Sequence, residues 1–136
     1  MRAAVVRGAA VAAFVNLAIW ILAAVAGVVP PLADSVPTVA GVAFASAGGV
    51  VAAGIVANRF IGTGARRRWD RVALVVLVLS IGSPIGLALG AIPVSPIDPT
   101  NALLISFKGG IASIYAVLHL TTFVVVQRTV AEAIKG

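Results

Sequence analysis

The chain has no cysteine, which removes disulfides, thiolate metal sites and thiol redox chemistry at once. Charge is scarce as well. Only 10% of its 136 residues are Asp, Glu, Lys or Arg, against about 25% in an ordinary soluble domain. So few ionisable side chains cannot cover a domain of this size with a polar surface, and the remaining apolar surface must meet lipid. The rarest charge is negative: four acidic residues in all, with a single histidine. One His without Cys does not build a usual zinc site. No paired carboxylates, no phosphate-cradling glycine loop after a strand and no nucleophile elbow is present. A Ser–His–acid triad would lack its acid at the right depth. The expectation is no enzyme, no metal and no cofactor.

What the chain has in abundance is hydrophobic residues, 61% of the total. That excludes disorder, which needs a polar chain poor in Leu, Ile and Val. Charges divide the sequence into four uncharged stretches, 8–33, 35–58, 72–97 and 109–127. Each is close to the ~20 residues that cross a hydrocarbon core as a helix. Barrel strands alternate apolar with polar, whereas 72–79 is continuously apolar. The predicted fold is therefore all-α: one domain, a four-helix transmembrane bundle with spans near 8–29, 38–58, 72–92 and 103–127.

The formal net charge of +6 does not point to nucleic acid, because the basic residues punctuate apolar runs instead of forming one face. Arg2 and Arg7 precede the first span, and Arg59, Arg66, Arg67, Arg68 and Arg71 fill the middle connection. Arg128 and Lys135 follow the last span, so only Lys108 falls on the opposite side. Under the positive-inside rule both termini are cytoplasmic, in the cell (plasma) membrane. Arg66, Arg67, Arg68 and Arg71 then read as topology determinants touching anionic lipid head groups, with Trp69 at the interface. Lys108 reads as an outer anchor that snorkels to water, with Asp34 or Asp98 as partner. Arg2, Arg7 and Ala24-Val25-Ala26 also outline a signal peptide, although the apolar run is long for one. Cleavage there would leave three spans in the same orientation.

The two outer connections each carry three prolines and one aspartate, so both read as short, stiff links. That likeness allows a parallel repeat of two hairpins; tight outer loops collecting proline explains it equally well. Gly82, Gly86 and Gly90 make a doubled GxxxG, the pattern of a close helix-packing face. Small residues of the second span (Gly41, Ala45, Gly48, Gly49, Ala52, Ala53) leave packing and plain composition both open. Pro84 cannot donate to the Ser80 carbonyl and predicts a kink, with Ser80 or Ser83 placed to satisfy the freed groups.

Polar side chains at depth are costly in lipid, and a function would sit among them. Asn16, Ser80 and His119 lie nine residues from Arg7, Arg71 and Arg128 respectively. At ~1.5 Å rise per residue all three fall roughly 13 Å inside one boundary, as a single layer. Tyr115 and His119 occupy adjacent turns of one stripe with Lys108, Ala112 and Thr122. An Asn16–His119 hydrogen bond between helices is the natural pairing. The layer reads either as interhelical glue or as a proton-responsive or substrate-contacting site centred on His119. Glue is favoured, because no acidic residue lies within a span to serve a proton-coupled carrier.

An Asn in the first span (Asn16), an Arg-rich segment before Trp69, a Ser/Gly/Pro break from Ser80 to Pro84 and Leu118-His119-Leu120 together define a pattern. Over essentially the full chain it resembles a family of uncharacterised four-helix prokaryotic integral membrane proteins, a domain of unknown function. That resemblance implies the four-helix membrane fold and no activity. Four-helix multidrug exporters of similar size differ where it matters, since the first span offers Asn16 and not an acid. The leading expectation is a structural or accessory protein whose partners are the lipid bilayer and either a second copy or a membrane protein. The alternative is a small-molecule transporter or sensor using Asn16, Ser80, Tyr115 and His119. An accessible cavity reaching His119 would favour the second, and a dry closed layer the first.

Overall fold

The computed structural model describes residues 1–32, 36–60, 62–94 and 99–134. It is all-α, with no strand among the described residues: α1 (Arg2–Val25), α2 (Val36–Ala57), α3 (Ala65–Leu89), the short α4 (Ala102–Ser106) and α5 (Lys108–Thr129). Four of these are long and apolar enough to cross a membrane. Their outward faces stay apolar, as Phe14 and Leu89 show at 74% and 79% exposure. Apolar faces of this extent are stable only against lipid, and the chain is a multi-pass membrane protein.

The helix ends explain the two proline-bearing corners. The chain leaves α1 through Gly27 at φ +72° and α3 through Gly90 at φ +80°. In both corners the next amide reaches back to close the last turn, Val28 N–H to the Ala23 carbonyl and Ala91 N–H to the Gly86 carbonyl. This is the left-handed glycine stop that other residues adopt only at a cost. In both, proline follows three residues later, at Pro30 and Pro93. The likeness of the two corners thus extends back to their glycines, then ends. The second continues into α4, whose N-terminus is capped by Asn101 Oδ1 accepting from Leu104 N–H at 3.1 Å, and a break at Phe107 separates α4 from α5. The single span expected near 103–127 is therefore two helices. Asp34, Asp98, Pro96 and Lys135 lie outside the described residues, and so does the expected pairing of Lys108 with an aspartate.

The bundle is C-shaped. α1 packs on α2 and on α5, α3 packs on α5, and α2 meets α3 to no comparable extent. One buried cluster gathers Ala57, Ala65, Trp69, Val130 and Ile134, with Met1 packed against it, so the termini and the α2–α3 connection share one end. The other cluster gathers Trp20, Val29, Leu87 and Ile111 at the opposite end. Buried residues of α1 (Gly8, Ala12, Asn16, Trp20, Ala23) form a stripe of the spacing that a packed helix requires.

Two readings of the sequence need correction. First, Arg66, Arg67, Arg68 and Arg71 are not in a loop: they belong to the first two turns of α3. Ala65, Trp69 and Ala73, four apart, turn inward, which leaves the arginines on the outer faces. Arg66 Nε donates to Asp70 Oδ1 at 3.0 Å within that helix. Second, Trp69 is not an interfacial anchor; it is 3% exposed and meets Phe60 edge-on at 5.7 Å between centroids.

The three glycines of the GxxxG pattern do not form one face inside the molecule. A Cβ on Gly82 would meet nothing within 4 Å, one on Gly86 would press on Ile92, and Gly90 is the helix stop. Close approach occurs instead at isolated glycines. A Cβ on Gly8 would strike Thr129, one on Gly54 would strike Val5, and one on Gly110 would overlap the Val28 carbonyl oxygen.

Candidate functional site: a groove between α2 and α3

Because α2 and α3 stand apart, a groove runs between them with α5 as its floor, enclosing about 870 Å³. Its α2 wall is Gly41, Ala45, Gly49 and Ala52, its α3 wall Val72, Val76, Ser80 and Ser83, and its floor Tyr115, His119 and Thr122. Trp69 lines it toward the arginine end and Trp20 toward the proline end. Among the described residues no Arg, Lys, Asp or Glu lines it.

All four polar residues singled out from the sequence, Asn16, Ser80, Tyr115 and His119, border this groove. Their bonding differs from the expected pattern. Asn16, fully buried, does not pair with His119. Its Nδ2 donates to Ser46 Oγ and Thr122 Oγ1, both at 2.8 Å, and lies 3.3 Å from the Leu118 carbonyl. The reason is helical phase. The Leu118 carbonyl and the Thr122 hydroxyl, one turn apart, are the groups of α5 that reach Asn16, whereas His119, about 100° on from Leu118, lies on the groove floor. Ser46 Oγ in turn donates to the Val42 carbonyl at 2.6 Å. This knot ties α1, α2 and α5 together and is the glue of the bundle.

The rest of the polar set is differently placed. Ser80 Oγ donates to the Leu77 carbonyl at 2.8 Å, within its own turn, and not to the carbonyl freed by Pro84. α3 runs on through the buried Pro84 to Leu89. Tyr115 leans on Trp20 at 5.9 Å between ring centroids. The Tyr115 hydroxyl, the His119 ring and the Ser83 hydroxyl take no hydrogen-bond partner among the described residues. Deeper in the walls Asn16 Oδ1, Trp20 Nε1 and Trp69 Nε1 are buried and unpartnered. Each such atom costs about 1–3 kcal/mol when left unmet.

Ser46 and Thr122 are the functional residues that reading by depth missed. Ser46 is thirteen residues from Arg59 where Asn16 is nine from Arg7, so charge-to-residue spacing puts them at different levels. The spacing misleads because Arg7 is inside α1 while Arg59 lies beyond the end of α2. Among the described residues no group of three His, Asp or Glu side chains comes together to hold a metal. At the arginine end a smaller pocket of about 220 Å³ is lined by Arg7, Arg128, Thr129 and Glu132.

Compared with family models, with curated proteins and with solved structures, the chain matches none.

Proposed function

We propose that this chain is a membrane-embedded small-molecule binding protein, a transporter or sensor, whose site is the groove between α2 and α3. The observation that carries the reading is the groove itself: an open apolar cleft of about 870 Å³ that brings the unpartnered Tyr115 and His119 to its floor. Ligand pockets hold roughly 300–1,000 Å³, mostly apolar with a few placed polar groups. A bundle built only to pack would close its polar layer, as the Asn16 knot does. The reading assigns binding and no catalysis. It places the protein in the cell membrane with both termini cytoplasmic, since the arginines cluster at the terminal end and cytoplasmic loops collect Arg and Lys.

Trp20 and Trp69 are the only tryptophans, and both line the groove, so their emission reports its occupant. In nanodiscs, energy transfer from them to a neutral anthracene alcohol should saturate. It should be abolished by Ala45→Phe, which fills the groove from the α2 wall. Transfer that rises linearly with probe in the lipid, and is unchanged in Ala45→Phe, would sink the reading.

A second reading, a structural or accessory protein packing with a copy of itself or with another membrane protein, draws on Gly82. This glycine sits on α3 with open space around it, where a neighbouring helix approaches closely without a clash. The family resemblance is compatible with either.

A further inference from the structure

Resting on that reading, we infer that the ligand is an uncharged, chain-like amphiphile with one hydrogen-bonding group partway along it, taken up from the lipid through the gap between α2 and α3. Charge comes first. Among the described residues none on the groove's walls is ionic, and a charged group brought to this depth without a counter-ion is heavily penalised. Shape comes second. The groove follows α2 from Gly41 to Val56, about 22 Å at ~1.5 Å per residue. A volume of about 870 Å³ drawn out over that length is a long, narrow space, which suits an extended chain or a flat ring system.

Polarity is the third argument. Whereas Asn16 Oδ1, Trp20 Nε1 and Trp69 Nε1 are unpartnered but buried, the free groups along the groove that are not buried in its walls are those of Ser83, Tyr115 and His119. Apolar walls continue on both sides of them, to Val56 and Val72 in one direction and to Val94, Leu104 and Ile111 in the other. A phenol and a neutral imidazole each offer both a donor and an acceptor, so together they suit a hydroxyl or carbonyl. A terminal charged head group would instead place its chain in only half the groove. In lipid, where no water meets these groups, such an occupant lowers the cost of leaving them unpaired. Access is lateral: the α2–α3 side is the one where the bundle does not close.

The test uses brominated chains, because bromine quenches tryptophan at contact range and the two tryptophans mark the groove's two ends. The neutral probe is an ω-bromo alcohol with its hydroxyl at mid-chain. Matched probes of equal length carry a carboxylate or a quaternary ammonium at the same carbon. With the full chain in nanodiscs, quenching by the alcohol should saturate, and the charged probes should bind on the order of a hundredfold more weakly. Gly41→Leu and Ala45→Phe should each abolish saturable quenching. Gly48→Leu, placed in open space and off the groove, should leave it intact and so guards against a folding artefact. Charged probes that bind as well as the alcohol would overturn the ligand class and leave the groove as a site. Alcohol quenching that persists in both filled variants, or saturable quenching by none of the probes, would overturn the inference and the binding reading together.

Discussion

Asn16 is the residue on which three helices agree, and its surroundings set the size of its effect. Its amide is fully buried and its donors are spent on α2 and α5, yet neither partner depends on it alone. Ser46 already donates to the Val42 carbonyl in its own helix, and a threonine can do the same one turn back. Replacing Asn16 by the similarly sized Leu therefore removes the interhelical bonds without stranding a hydroxyl. Interhelical hydrogen bonds in membranes average about 0.6 kcal/mol and reach about 1.7 kcal/mol. Leu also removes the buried Asn16 Oδ1 that has no partner, which offsets the lost bonds. Asn16→Leu should therefore change stability by less than about 1 kcal/mol in reversible unfolding from detergent micelles; a loss well above that would mean the knot is cooperative. That Asn16 is a tie between helices was legible, because an amide at depth has no other economical use. Its partners were not, because they depend on rotation about α5, and a spacing of 118, 119 or 122 differs by a fraction of a turn.

At the level of elements, the long apolar stretches were enough to read four helices, since the bilayer leaves no other way to satisfy the backbone. Their edges were not readable from charge alone. Arg2 and Arg7 lie inside α1 and Arg66 to Arg71 inside α3, because arginine is a good helix former and does not itself stop a helix. Glycine misled in the same manner. The regular pattern of Gly82, Gly86 and Gly90 attracts the eye, while the close approaches fall at glycines with no pattern. Gly110 is the sharpest case: a methyl there would run into the Val28 backbone, which cannot rotate aside as a side chain does. Gly110→Ala should cost about 1–3 kcal/mol as an overpacking change. Gly82→Ala, in open space, should be neutral or slightly stabilising, as Ala is favoured over Gly within a helix by up to about 1 kcal/mol. Thermal unfolding of the two variants side by side decides it, and equal losses would mean Gly82 is packed in an assembly of copies.

For the whole molecule, the C-shaped arrangement and the charge asymmetry together define what can be tested without knowing any ligand. The groove exists because α3 is held by α5 and not by α2, a fact of tertiary packing that no local pattern encodes. The proposed orientation, by contrast, rests on the arginines and the positive-inside rule. Thr63, in the connection between α2 and α3, stands at the arginine end, and Ala91, just beyond α3, at the proline end; both are exposed. The chain has no cysteine, so Thr63→Cys and Ala91→Cys each create a single reactive thiol without background. In intact cells a membrane-impermeant maleimide should label Ala91→Cys and spare Thr63→Cys, with both labelled once the membrane is opened. The reverse result would place the arginine end outside, against the positive-inside rule. Labelling of both in intact cells would mean the chain inserts in two orientations. In that event the bundle would stand both ways up across the population, and a directional transporter would have to give way to a binding protein indifferent to side.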